Sequence, residues 1–283
     1  MKYIVITGVS SGIGNSTARE LLAHGYHVFG SVRQAAEAER LRQELGERFT
    51  PLVFDITDTA AVVAAAAQVA AVVGDGGLTA LVNNAGISIV GPLMHEPLAE
   101  LRRQCEVNVV GTLAVTQAFL PLLGARKDAP HPPGRIVTVT STVGKVIFPF
   151  YGAYGASKHA VEGMMEALRR ELVMYGIDVV VVAPGAVRTP MWDKQGKTDF
   201  SLYAGTDYAG PLAQMEEMMG RMRNAGMTPD KIAHRLRQII QTPRPKARYG
   251  IYKNWLLAWF LPRWMPFRLV DRVVARQLGM RPK

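Results

Sequence analysis

Two residues that could transfer a proton stand four positions apart near the middle of the chain. Tyr154 and Lys158 occur in the run Tyr-Gly-Ala-Ser-Lys, thirteen residues after Ser141. On a helix, positions i and i+4 share a face, so the phenol and the ammonium can meet the same small molecule. A free tyrosine, with a pKa near ~10, is a poor acid or base at neutral pH unless a nearby positive charge favours the phenolate. The spacing predicts a proton-transfer pair in which Lys158 lowers the pKa of Tyr154; the structural alternative is two surface residues that share a helix face.

A glycine-rich turn follows the first apolar segment. Residues 2–7 form a β-branched run, and Gly8, Gly12 and Gly14 come next, before apolar residues at helical spacing. In a strand-turn-helix setting, such glycines let the backbone approach a pyrophosphate, which the amide hydrogens at the helix amino end then bind. The spacing Gly-x-x-x-Gly-x-Gly departs from the commoner Gly-x-Gly-x-x-Gly. The turn nevertheless predicts a nucleotide site.

Apolar segments alternate with helical ones through most of the chain. The segments are apolar throughout, which suits a parallel sheet covered on both faces by helices. We therefore predict an α/β fold with a doubly wound parallel sheet. The predicted strands after the first are 27–33, 51–56, 78–85, 134–141 and 177–185, and the predicted helices between them are 35–48, 58–73, 101–124 and 151–175. In such sheets ligands bind beyond the carboxyl ends of the strands.

The order of these motifs resembles the short-chain dehydrogenase/reductase family, in its non-extended branch, over about residues 1–190. The resemblance rests on Thr7-Gly8-x-x-x-Gly12-Ile13-Gly14, Asp55, Asn83-Asn84-Ala85-Gly86, Asn108, Ser141, Tyr154-x-x-x-Lys158, and Pro184-Gly185 with Thr189. It implies a Rossmann-type three-layer sandwich that transfers hydride between a nicotinamide cofactor and a carbonyl or alcohol. It also implies a homodimer or homotetramer that pairs through the helices over 101–124 and 151–175.

The resemblance implies a catalytic set of Asn108, Ser141, Tyr154 and Lys158. Tyr154 would exchange a proton with the substrate oxygen, and Ser141 would hold that oxygen. Lys158 would lower the phenol pKa and hydrogen-bond the nicotinamide ribose, because an ammonium offers three donors. Asn108 would help hold a water that connects Lys158 to solvent; the structural alternative is an asparagine that caps or kinks a helix.

The same resemblance implies which residues bind the cofactor. Asp55 would lie near the adenine ring, although a helix cap formed with Thr57 or Asp58 explains it equally well. The full set expected to bind the cofactor is Gly8, Ser10, Ser11, Gly12, Ile13, Gly14, Arg33, Asp55, Ile56, Asn84, Ala85, Gly86, Tyr154, Lys158, Pro184, Gly185, Val187 and Thr189.

Cofactor choice depends on the end of the second predicted strand. An acidic residue there would bind the ribose 2′-hydroxyl of NAD. Here the strand ends in Ser31-Val32-Arg33, without a carboxylate, and the planar guanidinium could pair with a 2′-phosphate. We predict NADP(H) as the cofactor, with NAD(H) as the less favoured alternative.

Bulky apolar residues surround the predicted catalytic residues. The expected substrate contacts are Ser141, Val143, Phe148, Tyr154 and Trp192, and the methionines at 215, 218, 219, 222 and 227 lie within the substrate-loop region 191–227. The runs around Pro149 and Asn108 are similar to the branch that contains 17β-hydroxysteroid and retinol dehydrogenases. We expect a lipophilic ketone, aldehyde or secondary alcohol of steroid, retinoid or long-chain type. The alternatives are a sensor or scaffold without catalysis and an NAD-dependent alcohol dehydrogenase of a small substrate.

Composition bounds the remaining possibilities. A length of 283 residues suits one layered catalytic domain over 1–253 with a helical substrate lobe. The one cysteine, Cys105, excludes an internal disulfide, and the six histidines show no metal-ligand spacing. Met1 leads directly into the first strand, so we expect no signal peptide and a cytosolic location.

The positive charge is concentrated at the carboxyl terminus. Residues 244–283 hold ten Lys or Arg residues and one acid, Asp271, in a chain of net charge +10. We predict a basic aromatic C-terminal extension over 254–283, with a helix over 267–278. Two alternatives stay open: a lid over the substrate cleft or a subunit contact, and a peripheral membrane contact. Nucleic acid is disfavoured because no known binding module accompanies the charge.

Overall fold

Seven parallel strands form one sheet in a computed structural model that describes residues 1–191, 200–253 and 264–280. The strands are β1 (Lys2–Ile6), β2 (Tyr26–Val32), β3 (Phe49–Val53), β4 (Ala80–Asn83), β5 (Arg135–Val139), β6 (Asp178–Pro184) and β7 (Arg248–Ile251). Their order is β3-β2-β1-β4-β5-β6-β7, and every neighbouring pair is parallel. The order reverses between β1 and β4. At such a reversal the loops after neighbouring strands diverge and leave a crevice for a ligand.

Helices cover both faces of the sheet. Those described are α1 (Gly12–Ala23), α2 (Ala35–Leu45), α3 (Thr59–Val73), α4 (Leu98–Cys105), α5 (Thr112–Phe119), α6 (Gly152–Glu171), α7 (Ala209–Ala225), α8 (Pro229–Gln241) and α9 (Phe267–Gln277). The predicted α/β fold with a doubly wound parallel sheet is confirmed. The helix predicted over 101–124 is interrupted, because residues Glu106–Gly111 between α4 and α5 form a π-helical segment.

Alternating side chains of each strand feed two separate apolar cores. Ile4 and Ile6 of β1 pack with α1, α2 and α8 on one face, whereas Val5 packs with α3, α5 and α6 on the other. Each fully buried Leu or Ile side chain contributes about 1.5–3 kcal/mol relative to exposure. Burial on both faces therefore explains why the strands read as continuous apolar runs.

Among the described residues, two helical stretches are apolar and long enough to cross a membrane by length and composition alone, 59–76 and 98–123. In the first, Val62, Ala65 and Val69 pack into the core against the sheet, and Phe119 does the same in the second. Core packing accounts for the apolar character of these faces.

Two described elements, β7 and α8, had no counterpart in the sequence prediction, whereas α7 lies within the substrate-loop region 191–227, where a helical lobe was predicted. Strand β7 has only four residues, lies at the sheet edge, and is partly exposed along its length. It therefore lacks the long apolar run by which the other strands were recognised. Its register places Arg248 beside Val181 and Ile251 beside Pro184.

The described part of the C-terminal extension contains the predicted helix, α9. Leu278 is buried, and Val274 and Met280 pack with it in an apolar cluster that also holds Leu212 and Met215 of α7. Trp264 and Phe267 are exposed. The extension therefore contacts the substrate lobe with one face and presents another face to solvent. Trp255 and Trp259 lie outside the described residues.

Gly14 should be replaceable only at a cost in stability. A Cβ at this position would lie 2.2 Å from the carbonyl oxygen of Gly8 and 2.5 Å from the amide nitrogen of Asn84, so Gly14→Ala must push helix α1 away from the sheet. We expect a loss of about 1–3 kcal/mol in the free energy of unfolding, measured by urea denaturation.

The control is Gly163→Ala in α6, where no atom lies within 4 Å of the added methyl group. That change should stabilise the protein by about 0.5–1 kcal/mol, because Ala is the better helix former. Equal effects of the two changes would contradict the packing described for Gly14.

Candidate active site

A cavity of about 1120 Å³ runs along the carboxyl edge of the sheet, from the glycine turn to the substrate lobe. It brings together residues that are far apart in the chain, including Gly8, Asn84, Ser141 and Tyr154. Every residue predicted to bind the cofactor lines this cavity except Gly14, which instead packs behind the turn. Of the predicted substrate contacts, Ser141, Val143, Phe148 and Tyr154 line it, and Trp192 lies outside the described residues.

The glycine turn is fixed by side chains from neighbouring strands. Gly8 has a φ of +73°, in the left-handed region that favours glycine, and its N–H donates to the Ser31 hydroxyl at 3.0 Å. The Asn84 side-chain amide donates to the carbonyls of Thr7 and Gly8 at 2.9 and 3.0 Å. The Thr7 hydroxyl accepts from the backbone N–H groups of Asn84 and Ala85, both at 3.0 Å. These bonds lock the turn to β2 and to the end of β4.

The amino end of α1 is suited to a phosphate group. Its N-cap residue, Ser11, makes no side-chain capping hydrogen bond, and its first turn holds no acidic residue. The first backbone N–H groups of a helix have no intrahelical partner and carry partial positive charge, so an anion can bind them. A Cβ on Gly12 would lie 3.2 Å from the side chain of Thr189, so a side chain there would crowd this opening. The residues present therefore fit the diphosphate of a dinucleotide.

The end of β2 presents a free cation. Arg33 lines the cavity, is exposed, and makes no hydrogen bond or ion pair among the residues that the structure describes. The neighbouring Arg40 is already paired with Glu44 at 2.6 Å, and its guanidinium lies 3.5 Å from the Ser10 carbonyl. The Ser31 hydroxyl is occupied by Gly8. Arg33 is thus the unpaired cation on this part of the cavity wall, among the described residues.

Asp55 closes a turn rather than capping a helix. Its Oδ1 accepts from the Thr57 backbone N–H at 2.9 Å and from the Thr57 hydroxyl at 2.8 Å. The cap of α3 is Asp58, whose carboxylate accepts from the Ala61 N–H at 3.0 Å. The carboxylate of Asp55 therefore has a structural role in a turn with Thr57, and the residue also lines the cavity. A role beside adenine stays a prediction.

Tyr154 and Lys158 lie on the buried face of α6, as the spacing predicted. The Lys158 Nζ is 5.8 Å from the centroid of the Tyr154 ring and donates to the Val139 carbonyl at 3.2 Å. The Ser141 hydroxyl, just beyond the end of β5, hydrogen-bonds the phenol. A hydroxyl pair and an ammonium therefore converge where the cavity passes the carboxyl end of β5.

Burial, and not Lys158, has the largest effect on the pKa of the Tyr154 phenol. Removal from water raises the pKa of Tyr154 to about 12, while the hydrogen bond with Ser141 acts in the opposite direction. Burial also lowers the pKa of Lys158 to about 8. The predicted net lowering of the phenol pKa is therefore wrong for this structure, because the loss of contact with water disfavours the phenolate and outweighs the effects that favour it.

Asn108 acts behind the cavity wall. It sits in the π-helical segment, is fully buried, and holds Ile87 by two hydrogen bonds of 2.9 Å, one to the N–H and one to the carbonyl. It also donates to the Ser157 hydroxyl at 3.0 Å, and that hydroxyl donates to the Tyr154 carbonyl at 2.8 Å. Asn108 therefore connects the loop after β4 to α6 and lies within the helix irregularity that the structural alternative anticipated.

A buried ion pair that sequence reasoning missed links α6 to β7. The Glu162 carboxylate, one turn beyond Lys158, accepts from the Arg248 guanidinium at 2.9–3.2 Å and from the Thr140 hydroxyl at 3.1 Å. Lys145 lies 3.5 Å from the same carboxylate. Tyr252 and Lys253, which follow β7, line the cavity. The pair therefore ties the far wall of the cavity to the helix that carries Tyr154.

The substrate lobe is largely apolar. Tyr151, Tyr154 and Tyr203 belong to one apolar cluster with Met215, and Met218 packs against it. The methionines at 215, 218 and 222 line the cavity. One acidic residue on this wall, Glu96, was also missed by sequence reasoning, because it lies in a loop without periodicity.

Comparison with known proteins gives consistent results. Residues 2–199 match the family model described as short chain dehydrogenase. The chain is similar to an NADPH-dependent 3-dehydrocapnine reductase from Ornithobacterium rhinotracheale, with 40% identity over 278 residues and 98% of each chain covered. It is also similar to human 17-beta-hydroxysteroid dehydrogenase type 6, with 32% identity over 293 residues, which covers 97% of this chain and 88% of the relative.

Solved structures agree with the fold. A short-chain dehydrogenase from Streptomyces avermitilis superimposes with a TM-score of 0.74 at 27% identity, covering 98% of this chain and 95% of that chain.

The buried ammonium should make stability depend on pH. The folded-state pKa of Lys158, about 8, is below the 10.5 of a lysine in water, so the folded protein holds fewer protons than the unfolded chain between these values. Stability contributed at this site therefore rises as pH rises from 8 towards 10.5. Lys158→Met removes the titration, and its stability relative to wild type should fall by about 2 kcal/mol between pH 7.5 and pH 9.5 in urea denaturation. The same difference at both pH values would show that Lys158 is not desolvated.

Proposed function

We propose, from the premise that this chain belongs to the short-chain dehydrogenase family, that it is an NADPH-dependent oxidoreductase of lipophilic ketones or aldehydes and the corresponding alcohols. The observation that carries the proposal is the convergence of Ser141, Tyr154 and Lys158 on one cavity that also contains the glycine turn. The bound nicotinamide would supply the hydride to the carbonyl carbon, or accept it from the alcohol. Side chains of this protein would position the substrate and transfer the proton.

Tyr154 is proposed as the general acid and base. In reduction its hydroxyl would protonate the carbonyl oxygen, and in oxidation it would take the hydroxyl proton of the alcohol. Ser141, which hydrogen-bonds the phenol, would hold and polarise the same oxygen. A phenol with a pKa of about 12 keeps its proton at neutral pH, which suits donation during reduction.

Lys158 and Asn108 are proposed to support the phenol. The Lys158 ammonium is near enough to the Tyr154 ring, at 5.8 Å, to stabilise negative charge that develops on the oxygen when the proton leaves. Its other donors would hydrogen-bond the nicotinamide ribose. Asn108 holds the loop that contains Ile87, and we propose that it helps retain a water between Lys158 and solvent.

Cofactor choice is proposed to rest on Arg33. An exposed guanidinium without a described partner at the end of β2 matches a 2′-phosphate. A carboxylate, which would bind a 2′-hydroxyl instead, is not present at that position. The relative at 40% identity is named as NADPH-dependent, which supports the same choice.

The apolar lobe supports a lipophilic substrate. The walls formed by Val143, Phe148, Tyr203 and Met215 would bury hydrocarbon, and the flexible methionines can adjust to its shape. Relatives named for 17-beta-hydroxysteroid and retinol dehydrogenases favour the same substrate class. A scaffold without catalysis is disfavoured because the Ser, Tyr and Lys are all present and face one cavity.

Assembly and location are also proposals. We expect a homodimer or homotetramer, as is common in the family, and a cytosolic location. In the described part of the extension, α9 packs on the substrate lobe, which favours the lid over a pure membrane contact. The alternative proposal is a peripheral membrane contact through 254–283, which the exposed Trp264 and Phe267 support.

Replacing the proposed acid should remove turnover and leave binding intact. For Tyr154→Phe we expect kcat to fall about 10²–10⁴-fold, with the Kd for NADPH changed less than threefold, because only the proton-transfer group is lost. NADPH oxidation is followed with a panel of carbonyl compounds graded by lipophilicity. The matched control is Tyr151→Phe, which removes a neighbouring buried phenol whose ring lies 6.2 Å from that of Tyr154.

Tyr151→Phe should retain at least a third of wild-type kcat. Turnover that survives in Tyr154→Phe, or that is lost equally in both variants, would mean that the acid has been assigned to the wrong residue. Turnover of small polar sugars alone would refute the lipophilic substrate class.

Arg33 should decide between the two dinucleotides. Wild type should have a KM for NADPH at least tenfold below that for NADH, and Arg33→Asp should reverse the order by repelling the 2′-phosphate and binding a 2′-hydroxyl. The control, Arg42→Ala, removes an exposed arginine of α2 that is paired with Glu39 and should leave both constants unchanged. A wild-type preference for NADH would overturn the assignment.

A further inference from the structure

The Ser141 hydroxyl, proposed to hold the substrate oxygen, is oriented by a short turn over residues 141–145. Ser141 is the N-cap residue of the 3₁₀ helix Thr142–Gly144, and its hydroxyl accepts from the Val143 N–H at 3.4 Å. The hydroxyl therefore moves with residues 141–145, which we call the Ser141 turn. The contacts that hold this turn against α6 set the distance from Ser141 to Tyr154.

One carboxylate on α6 contacts both ends of the Ser141 turn. Glu162 accepts from the hydroxyl of Thr140, the residue immediately before the turn, at 3.1 Å. It also lies 3.5 Å from the ammonium of Lys145, the last residue of the turn. Gly144 packs against the same group, since a Cβ there would lie 3.0 Å from the Glu162 Oε1. Glu162 therefore joins the helix that carries the proposed acid to the segment that carries Ser141.

The carboxylate is itself held by a guanidinium from the edge of the sheet. Arg248 of β7 donates to both oxygens of Glu162, from its Nε at 3.0 and 3.2 Å and from its Nη2 at 2.9 Å. The Glu162 side chain is only 3% exposed, so water screens these contacts little. Charge-assisted hydrogen bonds from a planar guanidinium are directional, so they fix the carboxylate relative to both the helix and the sheet.

Stability alone does not explain this arrangement. A buried ion pair contributes little net stability, because the cost of desolvation offsets most of the attraction, and apolar side chains of similar volume often serve as well. What a fixed carboxylate supplies, and apolar side chains do not, is a defined direction for further hydrogen bonds. In this protein those further contacts go to Thr140 and Lys145, on either side of Ser141.

We propose that Glu162 is a positioning residue, which sets the distance between the Ser141 hydroxyl and the Tyr154 phenol through the Ser141 turn. The inference rests on the proposed function, because Ser141 and Tyr154 would act on the same substrate oxygen. Glu162, itself among the described residues, does not line the cavity, so it would act through the turn. A displacement of about 1 Å at a reacting group can lower turnover about 100-fold, so a small shift of the turn is enough.

The test is a double-mutant cycle on kcat for the reduction of 2-dodecanone by NADPH, with full-length enzyme. The variants are Glu162→Gln, Ser141→Ala and the two together. Each single change should lower kcat by about 10–100-fold. The double variant should fall no more than about threefold below the slower single variant, because a displaced Ser141 has little left to lose. The Kd for NADPH should change less than about threefold, since Glu162 lies outside the cavity wall.

The matched control is Glu166→Gln, one turn further along α6. This exposed carboxylate is paired with Arg170 at 2.5 Å. The change should leave kcat unaltered and keep the full effect of Ser141→Ala. If Glu162→Gln only loosened the fold, it would lower kcat by the same factor with and without Ser141→Ala, and such independent effects would overturn the proposal.

A further variant separates positioning from stability, because Glu162→Gln leaves the Arg248 charge buried without its partner. Replacing both residues, as Glu162→Met with Arg248→Met, removes both charges and keeps an apolar filling. Its urea midpoint should be at or above that of Glu162→Gln, and its kcat should stay at least about tenfold below wild type. Wild-type kcat in this variant would show that the ion pair only fills space, and would refute the positioning role.

The same assay distinguishes failure of this inference from failure of the proposed function. Turnover in wild type with independent effects of Glu162→Gln and Ser141→Ala would remove Glu162 as a positioning residue and leave the oxidoreductase intact. No turnover of 2-dodecanone or of any other lipophilic carbonyl compound by wild type would overturn the proposed function, and this inference with it.

Discussion

The burial of polar residues along one face of α6 is the constraint on which the rest of the site depends. Tyr154, Lys158 and Glu162 follow one another at single-turn spacing, and all three are buried against the carboxyl ends of the last strands. A buried polar group without a partner costs several times the net gain of a typical hydrogen bond. The structure supplies a different partner for each: Ser141 for the phenol, the Val139 carbonyl for the ammonium, and Arg248 for the carboxylate. Those partners come from β5, the loop after β5, and β7. The hydrogen bonds of the three side chains of α6 therefore hold three elements of the sheet edge in place.

The same edge joins two halves of a cavity that need opposite properties. At the glycine turn, backbone N–H groups and Arg33 can bind a negatively charged group. The glycines there have no side chain, so a ligand can approach the backbone. At the substrate lobe, aromatic and methionine side chains exclude water. Tyr154 stands where the two halves meet, because the helix that carries it starts beside the lobe and ends over the sheet. A reactive oxygen held there can meet both a dinucleotide and an apolar substrate.

Sequence patterns predicted the fold and most of the cavity, because both depend on local signals. Apolar runs marked the long strands, and the spacing of Tyr154 and Lys158 marked a helix face. Strand β7 was not predicted, because its four partly exposed residues do not form an apolar run. Glu96 and the ion pair of Glu162 with Arg248 were not predicted, because they stand out only through burial and through contacts between segments that are far apart in the sequence. The direction of the Tyr154 pKa was wrong for a related reason: spacing shows that a charge is near, but only the fold shows how little water surrounds it.

The central claim is that this cavity brings a nicotinamide and a carbonyl carbon together beside Tyr154. It is tested most directly by tracing the hydrogen itself, with NADPH deuterated at carbon 4 of the nicotinamide and a long-chain ketone as the partner. We expect an alcohol product that carries one deuterium on the carbon bearing the hydroxyl group, found by mass spectrometry. Product that gains its new carbon-bound hydrogen from solvent, or no product with any lipophilic carbonyl compound, would contradict it.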